Sequence, residues 1–87
     1  MTEKVAKIKN QSGIHARPAS MIVQEANKYG AEVKIVKDGS EVNAKSIMGI
    51  MSLGVSQSTE VTIKAEGADA DAAVDALVEL IESGFGE

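Results

Sequence analysis

Residues 5–9, VAKIK, put Ala6 and Ile8 on one face and Lys7 and Lys9 on the other, the two-residue period of a strand with one buried face. NQSG then reads as a loop. From Ala16 the period lengthens: Ala19, Ile22, Val23 and Ala26 recur at helical spacing up to Tyr29-Gly30, where the glycine is expected in the left-handed position that closes a helix. Alternation returns in EVKIVK, Glu32 to Lys37, with Val33 and Ile35 on one face. Asp38-Gly39 suits a tight hairpin turn, and Val42 and Ala44 continue on the returning strand. In KSIMGIMSLG, Lys45 to Gly54, Ser46 is placed to cap a short helix carrying Ile47, Met48, Ile50 and Met51, which Leu53-Gly54 stops. Val61, Ile63 and Ala65 alternate with Thr62 and Lys64 as a fourth strand. Asp69 or Asp71 caps a last helix with an apolar stripe of Ala70, Ala73, Val74, Leu77, Val78 and Ile81, closed by Gly84.

The predicted order is βαββαβα. Strands that alternate have one wet face, so an α+β open-faced two-layer sandwich is expected: a four-stranded antiparallel sheet with three helices on one face. Eighty-seven residues suffice for one domain, spanning 1–87, with one modest core. Only Tyr29 and Phe85 are aromatic, so that core is built from aliphatic side chains. The final GFGE reads as a tail with no assigned role.

Charge narrows the function. A net charge of −4, with a single arginine and dispersed lysines, opposes a nucleic-acid partner, because phosphate-backbone binding rests on clustered Lys and Arg. The absence of cysteine excludes a disulfide framework and thiolate metal sites, and no metal cluster or nucleotide-binding loop is evident. MTEKVAKIKN builds no signal-peptide core, and no segment approaches the ~20 apolar residues of a membrane span. A cytoplasmic protein, not inserted in a membrane and monomeric, is expected.

The chemistry concentrates in SGIHARP, Ser12 to Pro18, which holds the only histidine, the only arginine and the only proline. Pro18 belongs in a first helical turn, where no intrahelical acceptor is lost, so the helix begins at or next to His15. The amides and dipole of a helix start favour a neutral imidazole, the nucleophilic form, and favour an anion bound to it. A phosphoryl group on His15 could therefore receive hydrogen bonds from the amides of Ala16 and Arg17. The Arg17 guanidinium adds a planar cation with several donors. A lone histidine is more often a surface or capping residue, and proline and glycine need only helix initiation to explain them, so local physics leaves both readings open.

GIHARPA, Gly13 to Ala19, resembles the active-site motif of the HPr family, the histidine-containing phosphocarrier proteins of the bacterial sugar phosphotransferase system. The resemblance covers essentially the whole chain. It implies that His15 accepts phosphate through Nδ1 from phosphorylated enzyme I and passes it to sugar-specific IIA domains, with phosphoenolpyruvate as the distant donor. It also implies that Arg17 and the helix-start amides steady the phosphate. Transfer between histidines is nearly balanced in energy, so the carrier needs no cofactor of its own. The resemblance extends to regulatory paralogues that lack this histidine, from which His15 separates the chain.

Ser46 is first of all a good helix cap. Beyond that, KSIMGIMSLG resembles the HPr form of low-GC Gram-positive bacteria, which implies that Ser46 is phosphorylated by an ATP-dependent HPr kinase/phosphorylase. The resemblance also implies that the modified protein assists a catabolite-control transcription regulator. A short helix cannot bury all its sides, so Ile47, Met48, Met51 and Leu53, with Ser20, are the expected partner-binding surface; methionines repack against different partners at low cost. Ser20 stands where the family often has alanine or threonine. Two alternatives remain: a regulatory binding module acting only through Ser46 and its apolar surface, and a carrier in a nitrogen-related relay.

Overall fold

The computed structural model describes residues 1–86. Its elements are β1 (Thr2–Lys7), α1 (Ala16–Ala26), β2 (Glu32–Lys37), β3 (Ser40–Asn43), α2 (Ile47–Ser52), β4 (Glu60–Glu66) and α3 (Ala70–Glu82), followed by a short 3-10 turn, Gly84–Gly86. The strands form a four-stranded sheet in the order β1-β4-β2-β3, and every neighbouring pair is antiparallel. The expected α+β open-faced sandwich is what the chain adopts.

The alternating pattern decides which face is covered. Ala6 and Ile8, Val33 and Ile35, and Val61, Ile63 and Ala65 are buried beneath the helices. Ala19, Ile22 and Ala26 of α1, Ile50 of α2, and Ala73, Val74, Leu77 and Ile81 of α3 are buried with them in one core. Full burial of each Ile or Leu contributes about 2 kcal/mol through the apolar area removed from water. On the open face, Glu41 bridges Lys34 and Lys64 at 3.5 and 3.2 Å, an exposed cross-strand arrangement that fixes register more than it stabilises.

The β2–β3 turn forms at Asp38-Gly39, with φ of 50° and 83°, as the type I′ geometry of a two-residue hairpin requires. Edge strand β1 is fastened to α3 by polar side chains: Thr2 Oγ1 donates to Asp71, Lys4 Nζ lies 2.6 Å from Asp75, and the Lys7 amide donates to Glu82 at 3.1 Å.

Two helix ends differ from expectation. Helix α1 stops at Ala26, with Asn27 as its C-cap in right-handed conformation, and the chain continues in tight turns whose amides at Lys28 and Tyr29 reach back to Glu25 and Ala26. Gly30 is absent from the left-handed residues and does not close the helix. Asp69 explains why: although it is the N-cap of α3, its side chain makes no bond to its own helix. The carboxylate instead accepts from the Gly30 and Ala31 amides, each at 2.9 Å, tying the α1–β2 loop to the start of α3. Those bonds, led by the one from Gly30, hold the Asp69 carboxyl below its ordinary range.

Candidate functional site

The loop leading to His15 is fixed from its backbone outward. Ile8 and the segment before β4 exchange hydrogen bonds, from the Ile8 amide to Thr59 O at 2.9 Å and from the Ser58 amide to Ile8 O at 2.8 Å. Further along, the Ile14 amide donates to Val55 O at 3.1 Å, and the Ile14 side chain is buried. Between these two fastenings Gly13 sits at φ +68°, and a Cβ there would lie 2.5 Å from Val55 O, so any side chain would collide with the neighbouring backbone. Its amide donates to Asn10 O at 3.1 Å, while its carbonyl accepts from the buried Asn10 Nδ2 at 2.6 Å. Gly13 is thus demanded by a close backbone approach, and not by helix initiation alone.

His15 is the N-cap of α1, in extended conformation and exposed. Its carbonyl accepts the first intrahelical bond, from the Ala19 amide at 2.9 Å, and its imidazole makes no capping bond to the helix. Pro18, which has no N–H, is buried in the first turn. The amides of Ala16 and Arg17 therefore precede the first intrahelical bond, in the position that suits a bound anion. Exposed Arg17 donates from Nη1 to the carbonyl of Phe85 at 3.5 Å. That partner comes from GFGE, the segment to which the sequence assigned no role. The available signal was Phe85 itself, one of only two aromatic residues.

The second candidate, Ser46, caps α2 as expected: its Oγ accepts from the Gly49 amide at 3.1 Å, and its carbonyl from the Ile50 amide at 3.0 Å. The other end of α2 is held by Lys37 of β2, whose Nζ donates to Leu53 O and Gly54 O, each at 3.1 Å, placing a cation at the negative helix terminus. Along α2, Ile47, Met48 and Met51 are exposed, Met48 to 84%. Leu53 corrects the expected surface: it is only 9% exposed, because at the C-cap its side chain turns into the core. Ser20, half-buried on α1, accepts from Gln24 at 3.4 Å. Helices α1 and α2 pack against one another.

Among the described residues, no group of three or more His, Cys, Asp or Glu is arranged to hold a metal ion, and no helix is long and apolar enough to cross a membrane. An open-faced α+β sandwich whose first helix begins at an exposed histidine, with an arginine two residues on, defines the HPr-type fold.

Comparison with known proteins agrees. The family model described as "PTS HPr component phosphorylation site" matches residues 2–83, and the chain belongs to the HPr family. It is 48% identical to the HPr-like protein Crh of Halalkalibacterium halodurans, over 94% of this chain and 98% of that protein. It superimposes on the crystal structure of HPr-C-His from Thermoanaerobacter tengcongensis with a TM-score of 0.96 and 56% identity, covering 100% and 98% of the two chains. Crh of Bacillus subtilis, a catabolite repression protein, matches with a TM-score of 0.78 at 44% identity over 97% of each chain, and is described as a dimer with a swapped domain. That dimer runs against the monomer expected from the sequence.

Proposed function

We propose that this chain relays a phosphoryl group, taking it from phosphorylated enzyme I onto His15 and delivering it to sugar-specific IIA domains in the cytoplasm. The observation that carries this reading is the exposed His15 imidazole at the N-cap of α1, making no capping bond, beside the first-turn amides of Ala16 and Arg17. In the transfer, a ring lone pair of His15, on Nδ1 by family resemblance, forms a new N–P bond as the donor's N–P bond breaks and its electron pair returns to the donor imidazole. The first-turn amides donate to the phosphate oxygens, and the Arg17 guanidinium offsets their charge. The exposed ring suits exchange between proteins, in which each partner supplies part of the positioning.

Ser46 is the proposed regulatory site, modified by an ATP-dependent HPr kinase/phosphorylase. A phosphate there brings about two negative charges beside exposed Ile47, Met48 and Met51. That change weakens docking of an acidic enzyme I and creates a ligand for a catabolite-control regulator. The second reading, a regulatory module acting only through Ser46 and its apolar surface, is favoured by the relatives named Crh.

Incubation with enzyme I and phosphoenolpyruvate separates the two. The carrier reading expects one acid-labile phosphate per chain and none on His15→Ala. If the wild type stays unlabelled while kinase and ATP modify Ser46, the regulatory reading replaces it.

A further inference from the structure

Lys4, Lys28, Lys34 and Lys64 each place the ammonium group 2.6 to 3.5 Å from a carboxylate. Lys37 does something different. It is the last residue of β2, opposite Ser40 at the base of the tight Asp38-Gly39 turn, and its Nζ donates to Leu53 O and Gly54 O, each at 3.1 Å. Its stem thus leaves a well-braced hairpin and ends on the C-terminal end of α2. What it meets there needs external support. Six residues fall far short of the length at which a helix sustains itself in water. Only Ile50 of the six is buried, while Ile47, Met48, Met51 and Ser52 are exposed, so packing within the helix grips one side chain. Ser46 secures the first turn. At the other end the Leu53 and Gly54 amides return to Ile50 O and Met51 O at 3.2 and 3.3 Å, and Gly54 turns left-handed at φ 62°. The next two carbonyls, Leu53 O and Gly54 O, are the ones that Lys37 takes, and its cation also meets the negative end of the helix dipole.

We propose that Lys37 is a positioning residue for partner docking: by fixing the C-terminal end of α2 to the β2–β3 hairpin, it holds exposed Met48 and Met51 in the arrangement that enzyme I meets. The inference rests on the reading of that face as the surface where enzyme I docks to reach His15. A surface helix that is ordered before the encounter loses less conformational freedom when the partner binds. The benefit therefore falls on recognition, and the chemistry at His15 does not draw on it. Methionine side chains can still repack against the partner, because Lys37 fixes the backbone beneath them and leaves the side chains free to move.

Kinetics with enzyme I and phosphoenolpyruvate test this, at a temperature where circular dichroism shows each variant folded. Lys37→Met keeps most of the stem and removes the donors. Its KM as the substrate of enzyme I is expected to rise about threefold to tenfold while kcat stays within about twofold. Lys37→Arg, whose guanidinium can reach both carbonyls, should recover most of the loss. In Lys37→Met the Leu53 and Gly54 amides should exchange with solvent faster by a similar factor, with the α3 amides unchanged. Phosphoramidate supplies a donor without a protein surface: its nitrogen is already protonated, so ammonia leaves with the electron pair of the P–N bond as the new N–P bond to His15 forms. That rate should be the same in wild type and Lys37→Met. An unchanged KM, or a loss that Lys37→Arg does not recover, overturns the positioning role, and so does faster exchange in α2 and α3 alike, which marks a general loss of stability. If Met48→Asp leaves KM unchanged, the docking face fails and the inference with it. A wild type that takes phosphate from neither donor overturns the His15 reading first, before any variant is compared.

Discussion

Helices α1 and α2 both begin at a residue in extended conformation, and the two capping side chains do different things. At α2, Ser46 spends its hydroxyl on the Gly49 amide and so belongs to the helix it starts. At α1, the His15 carbonyl accepts from the Ala19 amide, and the imidazole makes no capping hydrogen bond. Support for α1 comes from elsewhere: Gly13 pressed against Val55, Asn10 bound to Gly13, and buried Ile14 and Pro18. The start of α1 is thus held by its neighbours, without a capping bond from the His15 side chain. Around Ser46 the reverse applies, with a stability-bearing side chain beside exposed, adaptable Met48 and Met51.

Substitutions can break this contrast at several depths. Gly13→Ala should have the largest effect on stability, about 2 to 3 kcal/mol, since it combines a left-handed backbone with a clash against a carbonyl that cannot move aside. Thermal denaturation should show a fall in Tm exceeding ~8 °C. A small change would mean that the His15 loop yields easily. Ser46→Ala should cost about 1 kcal/mol through the lost cap, and Ser46→Asp should restore most of it, measured by urea unfolding. His15→Ala, which removes no side-chain capping bond, should cost less than Ser46→Ala in the same assay. Equal losses at the two caps would erase the distinction.

The smallest effect concerns a third cap, Asp69, which holds a neighbouring loop instead of its own helix. Its carboxyl is lowered in the folded state, chiefly by the Gly30 amide, so the stability it contributes is present above the ordinary Asp value of 3.8 and disappears as pH falls through the lower folded value. Urea midpoints measured from pH 7 down to pH 2 should therefore decline more steeply for wild type than for Asp69→Asn. Parallel curves would show that the two loop bonds carry no charge-dependent stability.

Much of this was legible along the chain because local rules and tertiary demands coincide. The strand alternation, the Asp38-Gly39 turn, Pro18 in a first turn and Ser46 before an apolar run each have a near-neighbour cause, and the turn and both helix starts fall where the pattern put them, while β1 runs from Thr2 to Lys7 instead of over residues 5–9 and β3 ends at Asn43, before Ala44. Gly30 misled because its amide is bound by Asp69, distant in sequence, and it does not take the left-handed position. Leu53 was expected at the surface by its place in a short exposed helix, yet the C-cap turn directs it inward. Phe85 was passed over because nothing local connects a terminal GFG to an arginine at the other end of the chain. The demand for Gly13 was not legible locally, since the backbone that crowds it belongs to the α2–β4 connection.

The arrangement of the sheet also governs when the chain can fold during synthesis. Among the described residues strand β1 pairs with β4 alone, from Thr2 opposite Ala65 to Lys7 opposite Glu60, and its side bonds reach still later residues of α3. It leaves the ribosome about sixty residues ahead of any partner and must wait unpaired, carrying Lys4 and Lys7 on an edge that discourages association with other nascent strands. The loop that presents His15, closed by backbone bonds to Val55 and Thr59, takes shape only once the α2–β4 connection has emerged.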